Sequence, residues 1–188
     1  MPVVQRPRPA VQPREAATGP EPAVAPFVAL DFETADSGRD SACSVALVRV
    51  EGDRVTARAC RLIRPPRRTF EFTYVHGLTW RDVKDSPAFG EVWDDLAPLL
   101  DGAAFIAAHN ASFDRSVLDA CCTAHRRPLP AAPFICTVKL ARKAWSIVPT
   151  KLPDVCGHLG IPLKHHDAAS DAEACAQIVM IARRQGLA

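Results

Sequence analysis

Asp31, Glu33, Asp114 and Asp171 are the residues whose types and settings point to chemistry, with His166 close before the last of them. Asp31 and Glu33 stand in Asp31-Phe32-Glu33-Thr34, at the end of an apolar run (FVALDF, 27–32) that reads as a buried strand. Residues two apart on an extended chain share a face, so the two carboxylates project together. Side by side on a buried strand they repel, which is costly unless cations neutralise them. Asp114 closes HNASFD (109–114), directly after a second apolar run, where Asn110 or Ser112 can cap a helix. Asp171 lies in HHDAASDAEA (165–174), about one turn into the last expected helix and five residues after His166.

Each segment also has a plain structural use: a strand end, an acid at a helix N-terminus, a solvated loop with two histidines. The combination is more specific than its parts. Hard oxygen ligands with neither Cys nor His among them suit Mg²⁺ or Mn²⁺. Two such ions about 3.5–4 Å apart can stabilise both the attacking and leaving oxygens of phosphodiester hydrolysis. A histidine on a loop, titrating near neutrality, can take the proton of an attacking water.

The elements that must position these groups follow from the patterning. Order is expected from Pro26 onward, with strands at 27–32, 44–50 and 54–63 joined by short connections as an antiparallel meander. Ser86-Pro87 reads as an N-cap followed by proline at the first helical position, with Phe89, Val92, Trp93 and Leu96 on one face. A strand is expected at 103–109, a helix at 111–124, and a fifth strand at FICT (134–137). Leu152, Val155, Cys156 and Leu159 mark a short helix stopped by Gly160. Asp167 caps a final helix running to about Arg184. Strands clustered first and then alternating with helices indicate an α/β fold, a mixed five-stranded sheet flanked by helices.

Composition sets the frame. The 188 residues suffice for one domain, and 48% are apolar, so a packed core is expected. Residues 1–25 carry six prolines and no periodic apolar face, which reads as a disordered leader before the domain at 26–188. No apolar run would span a bilayer and no secretory signal is visible, so the expectations are a cytoplasmic protein with no membrane partner. The seven cysteines, odd in number, are expected as reduced thiols rather than a disulfide framework or a zinc site. A net charge of +2, from 23 basic and 21 acidic residues, is too even to announce a nucleic-acid partner.

The set DFET, HNASFD and His-x₄-Asp, in this order over residues 27–184, resembles the DnaQ-like (DEDDh) exonucleases. That family includes the proofreading epsilon subunit of DNA polymerase III and stand-alone relatives. The resemblance implies a ribonuclease H-like fold and removal of nucleoside 5′-monophosphates from a 3′ end. It assigns Asp31, Glu33, Asp114 and Asp171 to two Mg²⁺ or Mn²⁺ ions and His166 to the general base. His165 lacks the spacing to Asp171 that singles out His166. The implied substrates are single-stranded DNA or RNA 3′ ends, with DNA favoured and a DNA polymerase as a candidate partner. An RNA exonuclease of the ribonuclease T or oligoribonuclease kind would share this set, and a non-catalytic binding module would be expected to break it.

Further contacts are expected around this centre. Thr34 matches a family position near the terminal nucleotide, and YVHGLT (74–79) resembles a family segment whose histidine, here His76, lies near the substrate end. Phe113 offers a face for a base or belongs to the core, and Asn110 orients the loop or caps the helix. Arg64, Arg67 and Arg68 share one loop that can meet phosphates or solvent.

Overall fold

A computed structural model describes residues 24–187; the expected disordered leader therefore lies almost wholly outside the described residues. The sheet is built on β1 (Phe27–Thr34), which pairs antiparallel with β2 (Ala42–Glu51), itself antiparallel to β3 (Arg54–Leu62). On its other side β1 runs parallel to β4 (Ile106–Ala108), and β4 runs parallel to β5 (Phe134–Cys136), giving the order β3-β2-β1-β4-β5. This is the expected meander followed by parallel strands, in a ribonuclease H-like α/β fold.

Alternation along β1 separates two cores. Val28, Leu30 and Phe32 face a layer formed by α3 (Phe89–Leu96) and α4 (Ser112–His125), with Trp93, Leu96, Val117 and Leu118 buried there. Phe27 and Ala29 face the opposite layer, where α7 (Ala168–Arg184) lays Ala168, Ala172, Cys175, Ala176 and Val179 on the sheet. Small side chains let that helix lie close. Asp31 and Glu33 continue the Phe27–Ala29 parity, so they emerge on the α7 side just past the apolar contact.

The other α-helices of the described residues are α1 (Thr73–His76), α2 (Trp80–Val83), α5 (Thr137–Trp145) and α6 (Leu152–Leu159). Leu152, Val155 and Cys156 of α6 pack on Ala174 and Ile178 of α7, and Gly160 ends α6 at φ +68° as expected.

Several boundaries differ from expectation. β1 runs on to Thr34, two residues past the expected end at 32, so Glu33 as well as Asp31 lies within the strand. The strand expected at 103–109 is only three residues, because 104 is occupied by a hydrogen bond back to Pro26 and 109–111 form a turn. Ser86 and Pro87 do not start the helix: Pro87 accepts from Arg64 N–H in an isolated bridge, and α3 begins at Phe89 with Glu91 accepting from Ala88 N–H. Neither Asn110 nor Ser112 caps α4; Asn110 turns the chain at φ +64° and Ser112 Oγ donates to Asn110 Oδ1. No helix among the described residues is long and apolar enough to cross a membrane.

Candidate active site

Three elements deliver the carboxylates. From β1, Asp31 and Glu33 share the α7 face, and from α7 Asp171 enters at the fourth helical residue. One carboxylate oxygen of each of these three lies within 4.8 Å of the others. Asp114 comes from the opposite layer, in the first turn of α4, and is almost fully buried. Its Oδ1 accepts the Phe32 backbone N–H at 3.1 Å. That N–H points to the β4 side of β1, as Val28 N–H does when it donates to Phe105 O. Because β4 ends at Ala108, the last part of β1 outruns its neighbour, and the Asp114 carboxylate completes the open ladder.

The electrostatics are those of acids crowded in a low-dielectric site. Burial first, then Asp114, Asp171, Glu33 and Asp167, hold the Asp31 carboxyl well above the usual range. Burial, then Asp171 and Asp167, push Glu33 up to about 7. Burial raises Asp114 against the opposing pull of the Phe32 N–H, and burial raises Asp171 against the pull of His165. No Lys or Arg among the described residues forms an ion pair with any of the four. Asp171 Oδ1 is buried and has no hydrogen-bond partner. An orphaned oxygen among mutually repelling carboxylates is a donor set that fits divalent cations.

The histidines occupy one wall. Asp167 caps α7 by accepting Ser170 N–H, which fixes the turn that carries His165 and His166. Asp171 Oδ2 accepts the His166 backbone N–H at 3.1 Å and lies 3.1 Å from His165 Nδ1. It is therefore His165, not His166, whose ring meets Asp171. The His166 ring is exposed and stacks on His165 with centroids 3.7 Å apart. Burial, then the neighbouring His165, lower the His166 pKa against the attraction of Asp171.

The four acids, His165 and His166 line one open cavity of about 900 Å³. Thr34, His76, Asn110 and Phe113 line it too, so the structure gathers every expected site residue around a single space. His76 Nδ1 accepts the Leu78 N–H and its Nε2 donates to the Thr34 carbonyl, so both ring nitrogens are held by backbone in the neutral form. Thr34 is itself buried. Phe113 is half-buried, with the Arg39 guanidinium 4.8 Å from its ring centroid. Arg67 is committed elsewhere, clamped to Asp36 and Asp40, and Arg68 lies over Trp80.

Sequence reasoning missed several groups of this cavity. His109 belongs to the HNASFD segment, yet only the fold shows its Nε2 donating to Thr150 O and its Nδ1 2.9 Å from Thr137 Oγ1. Those bonds tie the end of β4 to α5 and to the loop before α6. Arg142 of α5 and Lys151 bring positive charge to the rim, and Tyr74 and Val148 stand there 84% exposed. All seven cysteines are free, five of them buried, and none joins a metal-ligand cluster among the described residues.

The RNase T family model, described as an exonuclease, matches residues 28–179. The chain belongs to the DnaQ-like, RNase T-type exonuclease family. It is 29% identical over 160 residues to a PolC-type DNA polymerase III of Thermotoga maritima, covering 83% of this chain and 12% of that protein. It is 34% identical over 103 residues to exodeoxyribonuclease 10 of Escherichia coli, covering 54% of this chain and 40% of that one. The chain thus spans about an eighth of the polymerase and two fifths of the E. coli enzyme. Among solved structures, exonuclease X in complex with 5′ overhanging duplex DNA matches with a TM-score of 0.67 at 26% identity, over 85% of this chain and 93% of that one. The nuclease domain of 3′hExo, a DEDDh family member bound to rAMP, shares the fold with a TM-score of 0.73 at 17% identity, over 87% and 94% of the two chains. The described residues form an exonuclease domain of this family, a phosphodiester hydrolase by class.

Proposed function

We propose that this exonuclease domain removes nucleoside 5′-monophosphates from the 3′ end of single-stranded DNA. The observation that carries the reading is the convergence of Asp31, Glu33 and Asp171 within 4.8 Å, with an unpartnered buried oxygen, on the floor of an open cavity. DNA is favoured over RNA by the likeness to PolC-type polymerases, exodeoxyribonuclease 10 and exonuclease X, and a DNA polymerase is the corresponding candidate partner.

Asp31, Glu33, Asp114 and Asp171 would hold two Mg²⁺ or Mn²⁺ ions, which supply positive charge to acidify the attacking water and to balance charge on the phosphate. The protein's own groups do the rest. His166, neutral because its pKa is lowered, takes the water's proton on a ring nitrogen; its exposed position lets the ring swing over the acids. His76 pins the 73–78 segment to the end of β1 through Thr34, which sets the width of the entrance. Phe113, and Tyr74 at the rim, offer faces on which any base can stack, so no sequence preference is built in. Arg142 and Lys151 face incoming phosphates from the opposite rim.

The test is incubation of the protein with 3′- and 5′-labelled single-stranded DNA and RNA in Mg²⁺, Mn²⁺ or EDTA. Stepwise loss from the 3′ end of DNA with either metal is expected. Silence with both metals would refute catalysis, release from the 5′ end would refute the polarity, and faster RNA digestion would reassign the substrate.

A further inference from the structure

Asp171 belongs to two donor sets at once. The first is all oxygen, with Asp31 and Glu33; the second is His165, His166 and Asp171, whose ligand atoms also lie within 4.8 Å of one another. The proposed reaction makes no use of His165. Its Nδ1 and Asp171 Oδ2 are 3.1 Å apart. Two donors bound at roughly 2.0–2.1 Å to a tetrahedral zinc lie about 3.3 Å apart, so an ion can replace the proton between these atoms with little movement. The His166 ring nitrogens make no hydrogen bond among the described residues, and rotating that exposed ring out of its stack on His165 would turn a nitrogen toward the same ion. Asp171 is 4% exposed and its Oδ1 lacks any partner, so the carboxylate shared by the two sets has ligand capacity beyond the Oδ2 that meets His165.

Ligand chemistry separates the two sets. Carboxylates alone favour Mg²⁺ and Mn²⁺, whereas two imidazoles and one carboxylate favour Zn²⁺ and its borderline neighbours, with a fourth position left to water. We propose that His165, His166 and Asp171 form a second, inhibitory site for Zn²⁺. An ion there draws Asp171 away from the oxygen set and occupies the imidazole of the water-activating His166, so it silences the enzyme while Mg²⁺ is in excess. The inhibitory half of this proposal rests on the exonuclease reading; the binding half does not.

Binding is read with Co²⁺ as the probe on the full chain, through its visible absorption, followed by displacement with Zn²⁺. The expected result is a tetrahedral Co²⁺ spectrum without thiolate charge-transfer bands, retained in the Asp31→Asn/Glu33→Gln double variant. His165→Gln should weaken the binding by more than the roughly tenfold that loss of even an outer-shell partner costs. Unchanged binding in His165→Gln, loss in the double variant, or strong thiolate bands would each overturn the site. In the nuclease assay with excess Mg²⁺, His165→Gln should raise the Zn²⁺ concentration for half-inhibition by about the same factor. An equal Zn²⁺ sensitivity in that variant would overturn the inhibitory role. A chain inactive in both Mg²⁺ and Mn²⁺ would sink the exonuclease reading yet leave the Co²⁺ result fully readable.

Discussion

Asp114 and Phe32 form a hydrogen bond across 82 positions of sequence, in which the carboxylate takes the place that a longer β4 would fill on the ladder. A buried acid thus has a structural partner beside the metal-binding task proposed for it. The two can be separated by choosing the substitution.

Asp114→Asn keeps an acceptor for the Phe32 N–H and removes one charge from a crowded site. In EDTA its thermal midpoint should equal or exceed the wild type, while 3′ hydrolysis falls by orders of magnitude. Asp114→Ala leaves the buried N–H bare, at a cost of about 1–3 kcal/mol. Chemical denaturation of the two variants should therefore rank Ala well below Asn. Equal stabilities would show that the ladder bond contributes nothing.

The metal-free domain should lose stability as pH rises. Glu33 is raised in the folded chain to about 7, and Asp31, Asp114 and Asp171 are raised too. A carboxyl with a raised folded pKa binds more protons folded than unfolded, so its contribution is full below its ordinary pKa and lost as pH climbs through the raised one. In EDTA the thermal midpoint should decline from pH 5 to pH 8. Added Mn²⁺ should reverse that decline at pH 8, because binding to ionised acids favours the folded state. A midpoint that rises with pH in EDTA would contradict the crowding of these acids.

His166→Ala should lower kcat by about 10²–10⁴-fold, the usual worth of a positioned base. Mn²⁺ binding should survive the change. With saturating metal the wild-type rate should rise with pH through a His pKa below the ordinary 6.5 and then level off, since burial and His165 favour the neutral ring. That limb should vanish in the variant. A profile identical to wild type would move the base to another group.

His76→Ala removes two backbone contacts, one to Leu78 and one to Thr34, each worth roughly 0.5–1.5 kcal/mol. The expected kinetic signature is a raised KM for single-stranded DNA with a smaller change in kcat, because the entrance loosens while the acids stay in place. A kcat loss as deep as that of His166→Ala would place His76 in the chemistry itself.

The acids were legible because strand parity and helix position are local properties: Asp31 and Glu33 need only a strand, and Asp171 only a helix start. The five strands and α7 followed from apolar patterning. What stayed hidden depends on where elements stop. The Phe32–Asp114 bond requires β4 to end at Ala108, and nothing in AAFIAAH marks that point. Four-residue helices such as α1 and α2 are below the length at which periodicity shows, and α5 starts straight from β5 without a capping residue. Ser86-Pro87 carried a helix-start signal that the Arg64 bridge used instead. Spacing chose His166 over its neighbour, but only the turn geometry shows that the His165 ring is the one lying on Asp171.

The alanines of α7 carry a consequence for how this domain tolerates change. Ala168, Ala172 and Ala176 recur every fourth residue on the face that meets the sheet, and Ala172 adjoins Asp171 in sequence. A constellation of ligands works only when held to within about 0.5 Å, less than the thickness of one added methylene. Valine at 172 would lift the helix by more than that and carry Asp171 with it. A mutational survey scored by solubility would then pass over these positions, while one scored by nucleotide release would rank them beside the acids. Part of the enzyme's accuracy is written in side chains that have no reactive atom.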